Sequence, residues 1–310
     1  MLIAVDHGNK QIKTNHRTFT SGFCESNTRP PFGKDILFYN NKYYTLSDQR
    51  IPYMRDKTSD DRYYILTLFA IAFELKERGI TSSEVNEIEL GIGLPPAHFG
   101  SQYEKLTNYF LNRGIIELAL DDDPFTIKIT NASCFPQAYA ATIPIFQQIK
   151  NYPKAIIIDI GGFTADYMIM KNGIPTLSSC DSLENGVINL YNSIRSKVSS
   201  NLDLLLEESD IDDILKDKPN VYDERVADIV REQARLFVND LINKLRELMI
   251  DLRTGKTIFV GGGSILLKKY IEDSSELWNS RAKELPITTV GCTIGTHVGP
   301  GAIAVAFFES

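Results

Sequence analysis

A chain of 310 residues is too long for one small core and suits two α/β domains of about 150 residues each. With 43% hydrophobic and 24% charged residues, and no run near the roughly 20 uncharged apolar residues of a membrane helix, it reads as a soluble globular protein. The net charge of −7 excludes a basic footprint for direct contact with nucleic acid, and the four cysteines (Cys24, Cys134, Cys180, Cys292) are spaced as neither a zinc site nor a disulfide framework.

The N-terminal run Met1 to Val5 has no basic region ahead of it and meets Asp6 too early for a secretory signal, so a cytoplasmic location is expected. The run stops at Asp6 and Gly8, the pattern of a strand ending in a tight turn. Ile36 to Tyr39 and Lys42 to Tyr44, split by Asn40-Asn41, predict a hairpin. Residues 62–79 carry apolar positions at helical spacing and end on a basic turn and Gly79. Ile88 to Pro95 alternates as a strand, residues 101–113 predict a helix and 125–130 a strand, and a helix is expected from Gln137 behind Pro136.

Lys154 to Gly162 then repeats the opening pattern, an apolar strand ending in Asp159 and Gly161, about 150 residues after the first. A turn at Lys171-Asn172-Gly173 makes the next segment a hairpin reaching Ser179. Residues 183–198 and 221–252 are helical by period, and the acidic stretch 201–218 between them reads as a solvated surface segment or short helix. Thr257 to Val260 forms a strand that runs into Gly261-Gly262-Gly263-Ser264, with a helix over 265–271.

A bound polyphosphate needs close backbone approach, N–H donors and a cation. Asp6-His7-Gly8-Asn9-Lys10-Gln11-Ile12-Lys13 offers these: Gly8 lets the turn approach the phosphates, Lys13 reaches back to them and Asp6 holds Mg²⁺ through water. Asp159-Ile160-Gly161-Gly162-Phe163-Thr164 offers the same set, and Gly261-Gly262-Gly263 leaves room for a sugar and base. Asp166 reads either as a second carboxylate at the metal or as a solvent-facing strand residue, the second preferred. His7 reads as a turn residue rather than a catalyst, and His16 and His98 as surface residues.

In order and spacing these motifs resemble the actin/chaperone/sugar-kinase superfamily, and within it the ParM/StbA-like actin relatives, over residues 1 to about 272. The resemblance implies an α/β, two-domain actin-like ATPase fold of duplicated ribonuclease-H-like domains, spanning 1–145 and 146–272, with ATP and Mg²⁺ in a cleft between them. Gly8, Asn9, Lys10, Gln11 and Lys13 match the first phosphate motif, Gly161, Gly162, Phe163 and Thr164 the second, and Gly261, Gly262, Gly263 and Ser264 the adenosine motif. Glu184 and Gly186 fall in a segment that is similar to the nucleotide-proximal loop, or else is a helix N-cap.

Gln137, after Phe135-Pro136, matches the residue that orients the attacking water, and with Asp159 and Asp6 completes the expected catalytic set, the two aspartates also being the expected metal ligands. Filament self-assembly, plasmid or DNA segregation through a DNA-binding adaptor protein, and no direct contact with nucleic acid or membrane follow from the same resemblance. A small-molecule kinase is the first rival, disfavoured because Gln137 stands where a carboxylate base is wanted; a non-polymerising scaffold is the second. Residues 273–310 depart from the pattern. There Thr293 to Ala302, with Thr296 and His297, resembles the C-terminus of DegV-type fatty-acid-binding proteins, and the tail is expected to pack on the first domain.

Overall fold

The structure is a computed structural model that describes residues 1–80, 84–136 and 146–277. The described residues fall into two compact units, 1–136 and 146–277.

Unit 1 opens with β1 (Leu2–His7), β2 (Gln11–Lys13), β3 (Thr18–Thr20), β4 (Phe23–Ser26), β5 (Ile36–Tyr39) and β6 (Lys42–Leu46). After helix α1 (Arg62–Glu77) come β7 (Asn86–Leu94), helix α2 (Pro96–Leu111), β8 (Ile115–Leu120) and β9 (Asp123–Pro136). The strands form a nine-stranded sheet in the order β3-β2-β1-β7-β9-β8-β5-β6-β4, in which β1, β7 and β9 run parallel and the other pairs antiparallel. Asn40 and Asn41 both take positive φ, 50° and 61°, so the hairpin expected at 36–46 closes through the left-handed turn that Asn accepts.

Helix α1 is buried on every side from Tyr63 to Leu75, which makes it an interior helix of the unit and explains why that span is apolar all round except at Thr67 and Glu74. It ends at Gly79, whose φ of +66° provides the left-handed stop. Helix α2 starts at Pro96, ahead of the expected 101, because proline fits the first helical position where no N–H partner exists. Strand β9 also outruns its expected span of 125–130. The hairpin from β8 into β9 turns on Asp121 and Asp122 at positive φ, without the Asn-Gly signal that would have announced it.

Unit 2 contains a short helix α3 (Phe146–Ile149), then β10 (Lys154–Ile160), β11 (Ala165–Lys171) and β12 (Ile174–Leu183). Helices α4 (Val187–Leu202), α5 (Glu208–Leu215) and α6 (Glu224–Glu247) follow, then β13 (Lys256–Val260), α7 (Gly262–Leu266) and α8 (Lys268–Leu277). Its sheet order is β12-β11-β10-β13, with β10 and β13 parallel. Ile156, Ile158 and Ile160 from β10 share a core with Tyr191 and Ile194 of α4 and with Val230, Val238 and Leu241 of α6. Within the acidic stretch, α5 is fixed by a reciprocal cap between Glu207 and Asp210 and buries Ile211, Ile214 and Leu215, so only one face of it is solvated.

Candidate functional site

The first Asp-x-Gly motif lies across the end of β1. Asp6 stands opposite Lys13 in the β1–β2 register, with Lys13 Nζ 3.7 Å from Asp6 Oδ2. Gly8 admits no side chain, because a Cβ there would lie 2.5 Å from the Gln11 carbonyl oxygen. Asn9 Oδ1 accepts a hydrogen bond from the Tyr63 hydroxyl at 2.9 Å. The backbone carbonyls of this turn are also occupied: Lys57 Nζ donates to His7 O, Ser21 Oγ to Gly8 O at 2.6 Å, and Ser21 N to Lys10 O at 3.1 Å. Gln11 lies in β2 opposite Thr20 of β3.

His7 is a strand residue and is 1% exposed, stacked on Phe110 with ring centroids 5.7 Å apart. Its Nε2 is 2.6 Å from Thr67 Oγ1, and the Thr67 hydroxyl donates in turn to Tyr63 O at 2.7 Å, so the histidine nitrogen is the donor of that pair. Burial, and then the Lys57 ammonium, hold its pKa well below 6.5, and the ring is neutral. His16 is exposed, as expected of a surface residue, but it has a partner. Its backbone N–H and ring Nδ1 reach the buried Glu74 carboxylate at 2.9 and 3.0 Å, joined by the Thr14 hydroxyl at 2.7 Å and Arg78 Nη2 at 2.9 Å. Burial raises the Glu74 pKa, but the hydrogen bonds from Thr14, His16 and Arg78 outweigh it and leave the carboxyl below its ordinary value.

The second motif reproduces the first in register. Asp159 stands opposite Asp166 as Asp6 stands opposite Lys13, and Gly161 N donates to Thr164 O at 2.8 Å to close the turn. Asp166 is 4% exposed, which corrects the solvent-facing reading. Phe163 packs on the core of unit 2, and Gly162 is part-buried beside it. The carbonyls of Gly161, Gly162 and Phe163 accept from the N–H groups of Val187, Ile188 and Gly186 at 3.1, 2.9 and 2.9 Å, so the start of α4 sits against the turn. Gly186 is required there, since its Cβ would fall 2.2 Å from Gly162 O. Glu184 is exposed, and the neighbouring Asn185 is buried, its Oδ1 accepting from Lys244 Nζ at 2.7 Å.

The glycine triplet meets the second motif directly. Gly261 has φ +87° and faces Asp159: a Cβ on it would lie 2.1 Å from Asp159 Oδ1. Gly263 is closed in by Ile160 and Val187, whereas Gly262 has open space around it. The Ser264 hydroxyl is buried and donates to Val260 O at 2.5 Å. Gln137, and the tail with Thr296 and His297, lie outside the described residues. Sequence reading missed Ser21, Lys57, Tyr63 and Thr67, which lie 13 to 60 positions from their partners in the turn. No spacing rule marks them.

Among the described residues no group of three or more His, Cys, Asp or Glu side chains is arranged to hold a metal ion. Asp6, beside Lys13, and Asp159, opposite Asp166, each bring a carboxylate of the kind that suits Mg²⁺, which keeps most of its water and takes few protein ligands. Among the same residues no helix is long and apolar enough to cross a membrane.

Two units, each carrying an Asp-x-Gly hairpin of the same register and the second adding a glycine turn against its aspartate, define the actin-like α/β fold. Two family models agree: "Actin like proteins N terminal domain" matches residues 4–139, and "Archaeal actin homologue MreB-like, C-terminal" matches residues 157–273. The chain is an actin-like protein, and its fold is that of ParM and the Alp proteins. The crystal structure of the actin-like protein Alp7A superposes with a TM-score of 0.72 at 16% identity, covering 91% of this chain and 89% of that one. A 15-stranded ParM filament from Clostridium botulinum gives 0.67 at 19% identity, covering 87% and 91%. An archaeal actin homologue, Ta0583, in complex with ADP gives 0.65 at 18% identity, covering 88% and 90%. No curated protein matches. Neither family model extends past residue 273, and nothing found supports the DegV likeness of the tail.

Proposed function

We propose that this chain is a filament-forming ATPase that takes ATP with Mg²⁺ and serves plasmid or DNA segregation through an adaptor protein. The observation that carries the reading is the shared register of the two hairpins, each presenting an aspartate, a glycine in the turn and turn carbonyls that accept hydrogen bonds from outside the motif. Such turns leave backbone N–H groups as the donors for phosphate oxygens. In this reading Gly8 to Gln11 and Lys13 serve the phosphates from unit 1, Gly161 to Thr164 serve them from unit 2, and Gly262, the one open glycine of its triplet, lies under the adenosine.

Asp6 and Asp159 would hold Mg²⁺ through water, and Gln137 would orient the water that attacks the γ-phosphate, since a neutral amide can do so without repelling the anion. The metal supplies charge neutralisation at the phosphates when bound. The domain limits of 1–145 and 146–272 belong to the same reading, as does a cytoplasmic location. That a likeness extends to a ParM filament supports self-assembly, and that another extends to an ADP complex supports a nucleotide ligand. Head-to-tail contacts of this kind give open filaments rather than closed rings.

The test is sedimentation of the purified full chain with ATP, a non-hydrolysable analogue or ADP, with phosphate release followed in parallel. ATP-dependent pelleting together with phosphate release in the absence of an acceptor is expected. ADP formation only when a small-molecule acceptor is added, with the phosphoryl group carried to that acceptor instead of released, would favour a kinase, and neither pelleting nor turnover would favour a scaffold. Gln137→Ala should retain ATP binding and slow hydrolysis by about 10²-fold.

A further inference from the structure

The first hairpin turn is fastened from outside the motif. We infer that Lys57 and Ser21 are positioning residues that set the anion-binding face of this turn, by bonding its carbonyls inward and so fixing where its N–H groups point. The inference rests on the proposed nucleotide site and adds residues to it.

The argument is one of peptide geometry. In a trans peptide the C=O of one residue and the N–H of the next point in opposite directions. Lys57 Nζ donates to His7 O, which directs the Gly8 N–H away from Lys57, and Ser21 Oγ donates to Gly8 O, which directs the Asn9 N–H away from Ser21. Both donors are buried, Lys57 at 6% exposure and Ser21 at 0%, so each must find its partner within the protein. Tyr63 completes the frame, its hydroxyl holding the Asn9 side chain while its ring lies 5.1 Å from the Lys57 ammonium. Were the two carbonyls released, they would turn their negative ends toward the face that must accept a phosphate oxygen.

In the second hairpin the same task falls to the backbone N–H groups of Gly186, Val187 and Ile188, which no substitution other than proline removes. Lys57 and Ser21 are therefore points at which side-chain chemistry, beside the Ser21 amide on Lys10 O, sets a phosphate turn. The buried ammonium also places a fixed positive charge behind the turn, an arrangement that favours the more highly charged ligand.

The experiment measures ATP and AMP affinity by calorimetry in the wild-type chain and in Lys57→Met, Lys57→Arg and Ser21→Ala, with thermal melting of each. ATP binding should weaken about tenfold or more in Lys57→Met and by a smaller factor in Ser21→Ala, while AMP, which lacks the outer phosphates, changes less than about twofold. Lys57→Arg should recover part of the loss. Equal weakening of ATP and AMP would mean that these residues only stabilise the fold, and unchanged ATP affinity in folded variants would also overturn the inference. Should Lys57→Met not fold, the ATP-to-AMP ratio of Ser21→Ala decides alone. A wild-type chain that fails to bind ATP would instead remove the proposed function.

Discussion

The two Asp-x-Gly hairpins share a register and differ in how they are held. In unit 1 the turn is gripped by side chains from distant segments, Ser21 after β3, Lys57 ahead of α1 and Tyr63 within it. In unit 2 the backbone amides of Gly186, Val187 and Ile188 hold the equivalent turn. Side-chain fastening depends on the identity of a few residues and can be tuned one contact at a time. Backbone fastening tolerates many side chains but requires that none intrude at the close approach, and hence requires glycine at Gly186. The opposing partners also differ, Lys13 facing Asp6 where Asp166 faces Asp159, so an equal backbone geometry carries unequal charge in the two units.

The largest effect should come from Gly186→Val. With Gly162 O only 2.2 Å from where the Cβ would stand, and backbone on both sides, the turn must separate from α4 at a cost of about 3 kcal/mol. Denaturant unfolding measures the loss, and a variant with wild-type stability would show that the amide clasp is dispensable.

His7 provides the matching test in unit 1. Because burial and Lys57 hold its pKa well below 6.5, an unfolded chain takes up a proton that the folded one refuses as pH falls beneath that value. Stability should therefore be full above about pH 6.5 and decline on acidification toward the lower folded pKa. His7→Gln retains a donor but cannot titrate, so the difference between its pH profile and that of the wild type isolates this residue from Glu74. If the two profiles run parallel below pH 6.5, the ring is not neutral in the fold.

The smallest effect is expected for Lys244→Ala. Lys244 bonds the buried Asn185 and pairs with Asp240, but it is partly exposed, so removing it should cost about 0.5–1 kcal/mol in melting experiments and leave the Gly186 clasp in place. A loss as large as that of Gly186→Val would mean that unit 2, like unit 1, is fastened by side chains.

What the sequence alone determined was local. Two strands ending in Asp-x-Gly, the Asn40-Asn41 hairpin and the long amphipathic period of α6 are set by contacts within a few residues, and each was legible because its chemistry and its spacing lie in one stretch of chain. Strand β8, the extension of β9 to Pro136 and the early start of α2 were not legible, since they depend on sheet partners and on a turn of two aspartates that carries no usual signal. The same division runs through the site. The glycines and aspartates of the turns could be read from their motifs, whereas Lys57, Ser21, Thr67 and the bond from His16 to Glu74 were decided only when α1 was buried against the sheet and brought residues 57 to 74 beneath residues 7 to 21. Burial explains why that step mattered: away from water a carbonyl, an ammonium or a carboxylate must find a partner, and which partner it finds is fixed by packing rather than by sequence distance.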